Sequence, residues 1–489
     1  MDYGKLWGIW FAEHSTFILR KVGIRVVFSS AVFLWVFLPV VFLLNYFIQK
    51  KYSNILLLAA SLIFYAWGEP YLVLLMMASV VLNWLVGRGI AKCSGNGKKA
   101  VLTLGVVCDL AMLGYYKYAG FFVSMLNKVC GSEVLPVPQI ALPIGISFFT
   151  FQAISYIVDV YRGDTDASPK LVNVALYISF FPQLIAGPIV KYKDINQQIE
   201  NRSITWDGVT MGFRRFIIGL AKKVLISNVM GACVDTIFSH DVSVVGGGAA
   251  WAAALTYTFQ IYYDFSGYSD MAIGLGKMFG FDIMENFQYP YLSSSITEFW
   301  RRWHISLGSW FREYVYIPLG GNRKGTVRTY VNLCIVFFLT GLWHGTDMSF
   351  VLWGLYHGFF SILERLGLKK WLDRHKAMGV VYCMLVVIFG WMLFRAPSTG
   401  VAIRYMLHML LPWRYSEAAL PWTEYMDLKT VVVGIAAFLG MGFSKWIPEK
   451  FMNKWRYSAL EAICCVLLLL LCMASIAGSN YNPFIYFQF

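Results

Sequence analysis

The sequence predicts an all-α integral membrane protein, on three observations. Of its 489 residues, 58% are hydrophobic and only 14% charged, where a soluble domain carries about a quarter charged residues. The apolar residues fall in runs that suit a hydrocarbon core, which takes about 20 residues of helix to cross. Lys and Arg are bunched between those runs. A water-soluble chain cannot hide this much apolar surface, whereas helices in lipid have no need to.

Candidate runs lie at 26–48, 54–68, 70–87, 100–118, 139–160, 171–189, 209–231, 249–279, 329–345, 347–364, 378–395, 430–446 and 457–477. Several are short or broken by Gly and Pro, which predicts about nine to twelve crossings with re-entrant or interfacial helices among them. Broken helix at membrane depth is tolerated only where protein or a water-filled cavity satisfies the backbone, so a cavity is expected. Residues 1–25 mix Trp7, Trp10 and Phe11 with Glu13, His14, Arg20 and Lys21, and no small-residue cleavage site follows. They read as an interfacial N-terminal extension rather than a signal peptide. The chemistry falls within 26–377, and 378–489 reads as supporting helices with an aromatic tail. The basic loops 49–53 and 88–99, with the non-basic turn Gly68-Glu69-Pro70 between them, place the N-terminus outside; Arg20, Lys21 and Arg25 run against that orientation.

The net charge of +14 reads as cytoplasmic loops meeting anionic headgroups rather than as a nucleic-acid surface. The nine cysteines include no CxxC pair and read as small buried hydrophobes. No cluster of His, Cys and carboxylates has metal-ligand spacing.

Ionisable residues at membrane depth are costly and therefore candidates for function. Three stretches qualify. In Tyr262-Tyr263-Asp264-Phe265-Ser266-Gly267-Tyr268-Ser269-Asp270, Ser266 and Asp270 share a helix face. The stretch is either the polar wall of a cavity or a buried network that fixes helix register. In Phe299 to Arg312, aromatics alternate with Arg301, Arg302 and Arg312 behind a capping box, Ser295-Ile296-Thr297-Glu298. As one helix it sets Trp300 and His304 on the same face, and it is either a belt at the membrane surface or a site for an anionic donor. In Leu339-Thr340-Gly341-Leu342-Trp343-His344-Gly345, a histidine ends an apolar run between glycines spaced for close backbone approach. Desolvation keeps such an imidazole neutral and fit for general-base work. Asp347 could orient it or be a loop residue. His357, four residues after Trp353, reads as a structural hydrogen-bonding residue.

These stretches carry a resemblance. WRRWHISLGSWFREYVYIPLGGNRKG around His304 and LTGLWHGTDMSFVLWGLYHG around His344 resemble the signature of the membrane-bound O-acyltransferase family, as do YYDFSGYSDMAIG (262–274) and SFFPQLIAGPIVKY (179–192). The resemblance runs from about Val26 to the end. It is nearest to the branch that O-acetylates alginate, with the shorter D-alanyl-teichoic-acid transferases as relatives. It implies a ring of helices around a thin centre, with opposed funnels. The implied activity takes an acetyl group from a cytoplasmic thioester, acetyl-CoA or another acyl thioester, and passes it outward for O-acetylation of an extracellular polysaccharide. No resident cofactor or metal is implied. An outer-face hydrolase-like partner of the SGNH type, a polysaccharide acceptor and the bacterial cytoplasmic membrane are implied. By position, His344 is the catalytic histidine and His304 assists. Arg301, Arg302 and Arg312, together with Arg323 and Lys324, are candidates for the donor's phosphates. Asp264, Ser266, Asp270 and Trp303 are candidate cavity walls. Thr346-Asp347-Met348 departs from the small-then-bulky pair that follows WHG in relatives. The tail Asn482-Pro483-Phe484-Ile485-Tyr486-Phe487-Gln488-Phe489 is similar to an aromatic terminal motif of this group. It implies Tyr486 as an acyl relay, with a membrane-interface anchor as the alternative. Competing activities are D-alanyl transfer from a carrier protein and, from another class, a transporter or channel.

Overall fold

The structure is a computed structural model that describes residues 27–415, 421–442, 445, 458–479 and 481–485. Residues 1–25 and Tyr486 lie outside the described residues. Every regular element among the described residues is a helix, and the chain is a multi-pass membrane protein.

The first helices follow the predicted runs: α1 (Phe33–Phe47), α2 (Lys50–Gly68), α3 (Leu72–Lys92) and α4 (Gly95–Cys130). The run at 139–160 becomes helical only at α5 (Ile146–Arg162). Before it, Gly145 takes φ 73° and lies so close to Leu184 that a Cβ there would meet the Leu184 carbonyl oxygen at 2.7 Å. The run at 171–189 breaks after α6 (Leu171–Ser179) into a single turn, Phe181–Leu184, and then non-helical chain. From Asn173 on it is buried in protein, where other parts of the chain can meet its backbone groups. After α7 (Tyr192–Asn201), α8 (Trp206–Phe238) lies along α9 (Gly247–Met278).

The α8–α9 contact is set by glycines. A Cβ on Gly212 would meet the Gly274 carbonyl at 2.5 Å, and one on Gly219 the Gly267 carbonyl at 2.5 Å. Small residues seven apart on both helices thus bring the two backbones together in antiparallel register. Two short helices, α10 (Ile296–Arg302) and α11 (Ile305–Phe311), lead to the hairpin of α12 (Thr326–His344) and α13 (Met348–Leu363). Then come α14 (Lys376–Arg395), α15 (Thr399–Leu410), α16 (Leu428–Gly440) and α17 (Ala459–Gly478).

Against the nine to twelve crossings expected, six described helices are long and apolar enough to span alone: α3, α4, α8, α12, α14 and α17. The shorter α1 and α16 are also apolar. Helix α9 has 32 residues but is wrapped by α8, α14 and α15, and its polar stretch is buried in protein. By contrast, α17 leaves Leu467, Leu470 and Leu471 exposed and buries only Cys472, a face made for acyl chains. Two hydrophobic clusters result, one around α2, α3, α5 and α6 and one around α9, α10 and α14. Trp343 belongs to the first and Trp353 to the second, and His344 lies where they meet.

Candidate active site

Helix α12 ends at His344 because the chain turns extended at Gly345. The hairpin beyond it is glycine-dependent: a Cβ on Gly341 would meet the Phe350 carbonyl at 2.3 Å, and one on Gly354 the Phe337 carbonyl at 2.2 Å. The final carbonyls of α12, which have no partner within the helix, are taken up by α4. Tyr118 donates its hydroxyl to the Leu342 carbonyl (2.7 Å), and Lys117 Nζ donates to the Trp343 carbonyl and to Ser147 Oγ (3.2 Å). A cation at a helix C-terminus also matches the helix dipole. His344 is thereby held in place, its ring 5.1 Å from those of Trp353 and Phe394. It forms part of the wall of a narrow crevice of about 10 Å³, room for about one water molecule, otherwise lined by Ile261, Phe265, Trp303, Trp353, Trp391, Phe394 and Ile485.

His304 stands one layer back. The sequence reading of one helix through 299–312 fails here, because His304 adopts φ 46°, ψ 53° between α10 and α11. A non-glycine residue in that region costs about 1–3 kcal/mol and persists only where the surroundings impose it. They do so through Asn286. The Ile305 N–H donates to the Asn286 carbonyl (3.0 Å), and the Ser306 N–H and Oγ donate to Asn286 Oδ1 (3.2 and 2.9 Å). His304 Nδ1 lies 3.2 Å from the same Oδ1. That oxygen can only accept, so Nδ1 carries the proton and Nε2 keeps its lone pair. The amide orientation agrees, since Asn286 Nδ2 donates to Ser269 Oγ at 3.1 Å. His304 Nε2 is buried without a hydrogen-bond partner among the described residues. Phe265 and Trp343 contact the His304 ring at 4.5 and 6.0 Å and separate it from the crevice. Trp300 does not share a face with His304; it packs instead on Trp353 and His357, at 5.5 and 5.1 Å.

The other candidate residues divide. Trp303 lines the crevice. Asp264 is buried, ion-paired with Lys223 and bonded to the Ile485 N–H. Ser266 Oγ is buried with no hydrogen-bond partner among the described residues. Asp270 belongs to the register network, paired with Arg215 (2.9 Å) and Lys222 (2.6 Å). Arg302 is tied to Glu298 (2.6 Å), while Arg301, Arg312, Arg323 and Lys324 are exposed. The capping box is displaced by one residue: Ser295 Oγ accepts from the Glu298 N–H, but Glu298 accepts from Ser294. Asp347 is an exposed residue at the start of α13. His357 makes no structural hydrogen bond among the described residues; its ring is enclosed by Trp300, Trp353 and Tyr356. Lys191 of the motif at 179–192, and Lys193 just beyond it, approach Glu313 at 2.8 and 2.9 Å. Burial raises the Glu313 pKa, but the hydrogen bonds and charges of the two lysines outweigh it and hold the carboxyl below its ordinary value.

The family model described as MBOAT, membrane-bound O-acyltransferase family, matches residues 162–407, which include both histidines. A Pseudomonas putida protein named "Probable alginate O-acetylase AlgI" is 43% identical over 486 residues, covering 95% of this chain and 100% of its own. The chain belongs to the membrane-bound O-acyltransferase family. The Helicobacter pylori peptidoglycan O-acetyltransferase is 36% identical over 78% of this chain and 79% of its own. The Bacillus subtilis teichoic acid D-alanyltransferase is 27% identical over 51% of this chain and 68% of its own.

Asn286 and Lys117, which contact His304 and the end of the helix that carries His344, are not among the residues that the sequence singles out. Asn286 gave no signal, since its partners lie 18 and 20 positions on. Lys117, in Gly114-Tyr115-Tyr116-Lys117-Tyr118, was a visible one: a lysine within an apolar span is rare enough to ask for a partner. The region after 378, read as support, supplies Trp391, Phe394 and Ile485 to the crevice.

Proposed function

We propose that this O-acyltransferase takes acetyl from acetyl-CoA at the cytoplasmic face of a bacterial inner membrane and passes it outward for O-acetylation of an exopolysaccharide of the alginate type. The observation that carries this reading is His344 in the crevice wall, at the junction of both cores. An acceptor hydroxyl enters the crevice and gives its proton to the His344 imidazole as its oxygen bonds to the thioester carbonyl carbon. The tetrahedral intermediate collapses, the C–S bond breaks, and the thiolate leaves with the proton that the imidazolium returns. His304 assists from behind through Trp343 and Phe265. Exposed Arg301, Arg312, Arg323 and Lys324 are suited to the donor's phosphates. Only the acyl group crosses, so the charged donor never enters hydrocarbon.

The acceptor within the chain is Tyr486. Ile485 lines the crevice, and Tyr486 is the next residue. The acetyl then moves from the tyrosine ester to the polymer, with an outer-face SGNH-type partner completing the transfer. The alginate acceptor rests on the AlgI-named relative, and the D-alanyl alternative on a relative of lower identity and coverage. Membranes carrying the protein, its partner and polymer, given acetyl-CoA labelled in the acetyl group, should label the polymer, whereas a D-alanyl-loaded carrier protein should not. Tyr486→Phe should reduce polymer labelling at least a hundredfold, within the range of losing a covalent relay step. Unchanged labelling in Tyr486→Phe would remove the relay, and labelling from the D-alanyl carrier alone would replace the donor.

A further inference from the structure

The ion pair between Lys223 and Asp264 is almost wholly buried, at 4% and 1% side-chain exposure and 2.6 Å. It lies one turn from the Gly219–Gly267 crossing, where α8 widens into a π-turn over Lys222–Ser227. Such turns concentrate at functional sites. This one lets two consecutive lysines both reach α9, Lys222 to Asp270 and Lys223 to Asp264. The first pair is part of a network with Arg215 and Glu285. The second is different in what else it holds. Lys223 Nζ donates to the Pro483 carbonyl, and Asp264 Oδ2 accepts the Ile485 N–H at 2.9 Å. Cation meets carbonyl and carboxylate meets amide, both on the backbone of the C-terminal tail. Neighbouring contacts continue the seat: Phe484 packs on Tyr268 at 4.7 Å, Asn482 bonds Ser29, and the Tyr481 hydroxyl donates to Asp235 at 2.6 Å.

We propose that Lys223 and Asp264 are positioning residues that dock the C-terminal tail so that Ile485 closes the wall of the His344 crevice. A buried ion pair is a weak source of stability, and in some proteins it sets specificity instead. Here the specificity is polar direction, since each charge matches one tail group of opposite character. The inference rests on the His344 reading for its effect on acetylation, but not for the docking itself.

Charge exchange separates this role from helix packing. In the double variant Lys223→Asp with Asp264→Lys, the pair between α8 and α9 can re-form, but a carboxylate then faces the Pro483 carbonyl and an ammonium faces the Ile485 N–H. Amide hydrogen exchange of the tail peptide 479–485 and acetylation rate are read together on the full chain in lipid nanodiscs. The double variant should exchange the Ile485 amide at least about tenfold faster, the factor that loss of one hydrogen bond to a charged group corresponds to, and acetylate at least about tenfold slower. Wild-type exchange overturns the docking, and fast exchange with wild-type acetylation overturns its link to the site. Should the exchanged pair fail to fold, Ile485→Pro removes the same N–H with both charges in place. It should acetylate at least about tenfold slower, and a wild-type rate contradicts the proposal. His344→Ala should leave tail exchange unchanged while acetylation falls, so a failure of the histidine reading shows separately.

Discussion

A single amide fixes the geometry of the second histidine. Asn286 Oδ1 takes the Ser306 N–H and hydroxyl and lies within reach of His304 Nδ1, which sets the imidazole tautomer and supports a backbone conformation that histidine rarely adopts. Asn286→Ala should lower acetylation about tenfold or more and reduce stability by about 1–3 kcal/mol, because Ser269, His304 and Ser306 all lose a partner in a buried setting. Steady-state acetylation and thermal unfolding in the same detergent would check both effects; a variant with wild-type values in both would show that the imidazole is oriented by other means. The two histidines were legible in the sequence because each breaks an apolar or aromatic run. Asn286 was not, because hydrogen bonds across 18 or 20 residues leave no periodic trace. Lys117 was legible in principle as a cation within an apolar span, but its partner, a helix-end carbonyl, belongs to a distant segment.

Among the elements, hairpin α12–α13 carries His344 and depends on the absence of side chains. Gly354→Ala places a methyl group against the Phe337 carbonyl, which lies 2.2 Å from the added carbon, and should destabilise by about 1–3 kcal/mol as overpacking does. Gly434→Ala in α16, where nothing lies within 4 Å, should instead stabilise by about 0.5–1 kcal/mol through backbone entropy. Thermal unfolding of the two variants side by side checks the sign of each, and a stable Gly354→Ala would mean that the hairpin is not tightly packed. The helices themselves were readable from apolar runs, but of the Gly341–Gly345 pair only Gly341 makes the close backbone approach; Gly345 meets the Phe350 side chain, and the second close glycine is Gly354. The break at Trp303–His304 was not readable. Aromatic and basic residues continue at helical spacing on both sides of it, and the turn is held by a distant segment, through Asn286 and through the Gln288 N–H, which donates to the Arg302 carbonyl.

On the scale of the whole molecule, the sequence disclosed a membrane protein because its apolar content exceeds what a soluble fold can bury. It did not disclose which helices meet lipid. Helix α9 looks like a spanning run but is enclosed, and its carboxylates are paired with lysines and an arginine of α8, with Asp264 also bonded to the tail. The tail showed the same gap: its aromatic residues were conspicuous, yet nothing local announced that Pro483 and Ile485 would bond to Lys223 and Asp264 more than 200 positions earlier. These long-range contacts converge on one crevice, with walls drawn from α9, α12, α13, α14, Trp303 at the break after α10, and the tail.

In the proposed reaction the His344 imidazole accepts the proton as acetyl leaves its thioester. The most direct measurement is cleavage of acetyl-CoA by His344→Ala in sealed vesicles with the cytoplasmic face outward, with folding verified by thermal unfolding. Loss of a general base predicts a fall of about 10²–10⁴-fold with the fold intact; cleavage at the wild-type rate by the folded variant would contradict the account.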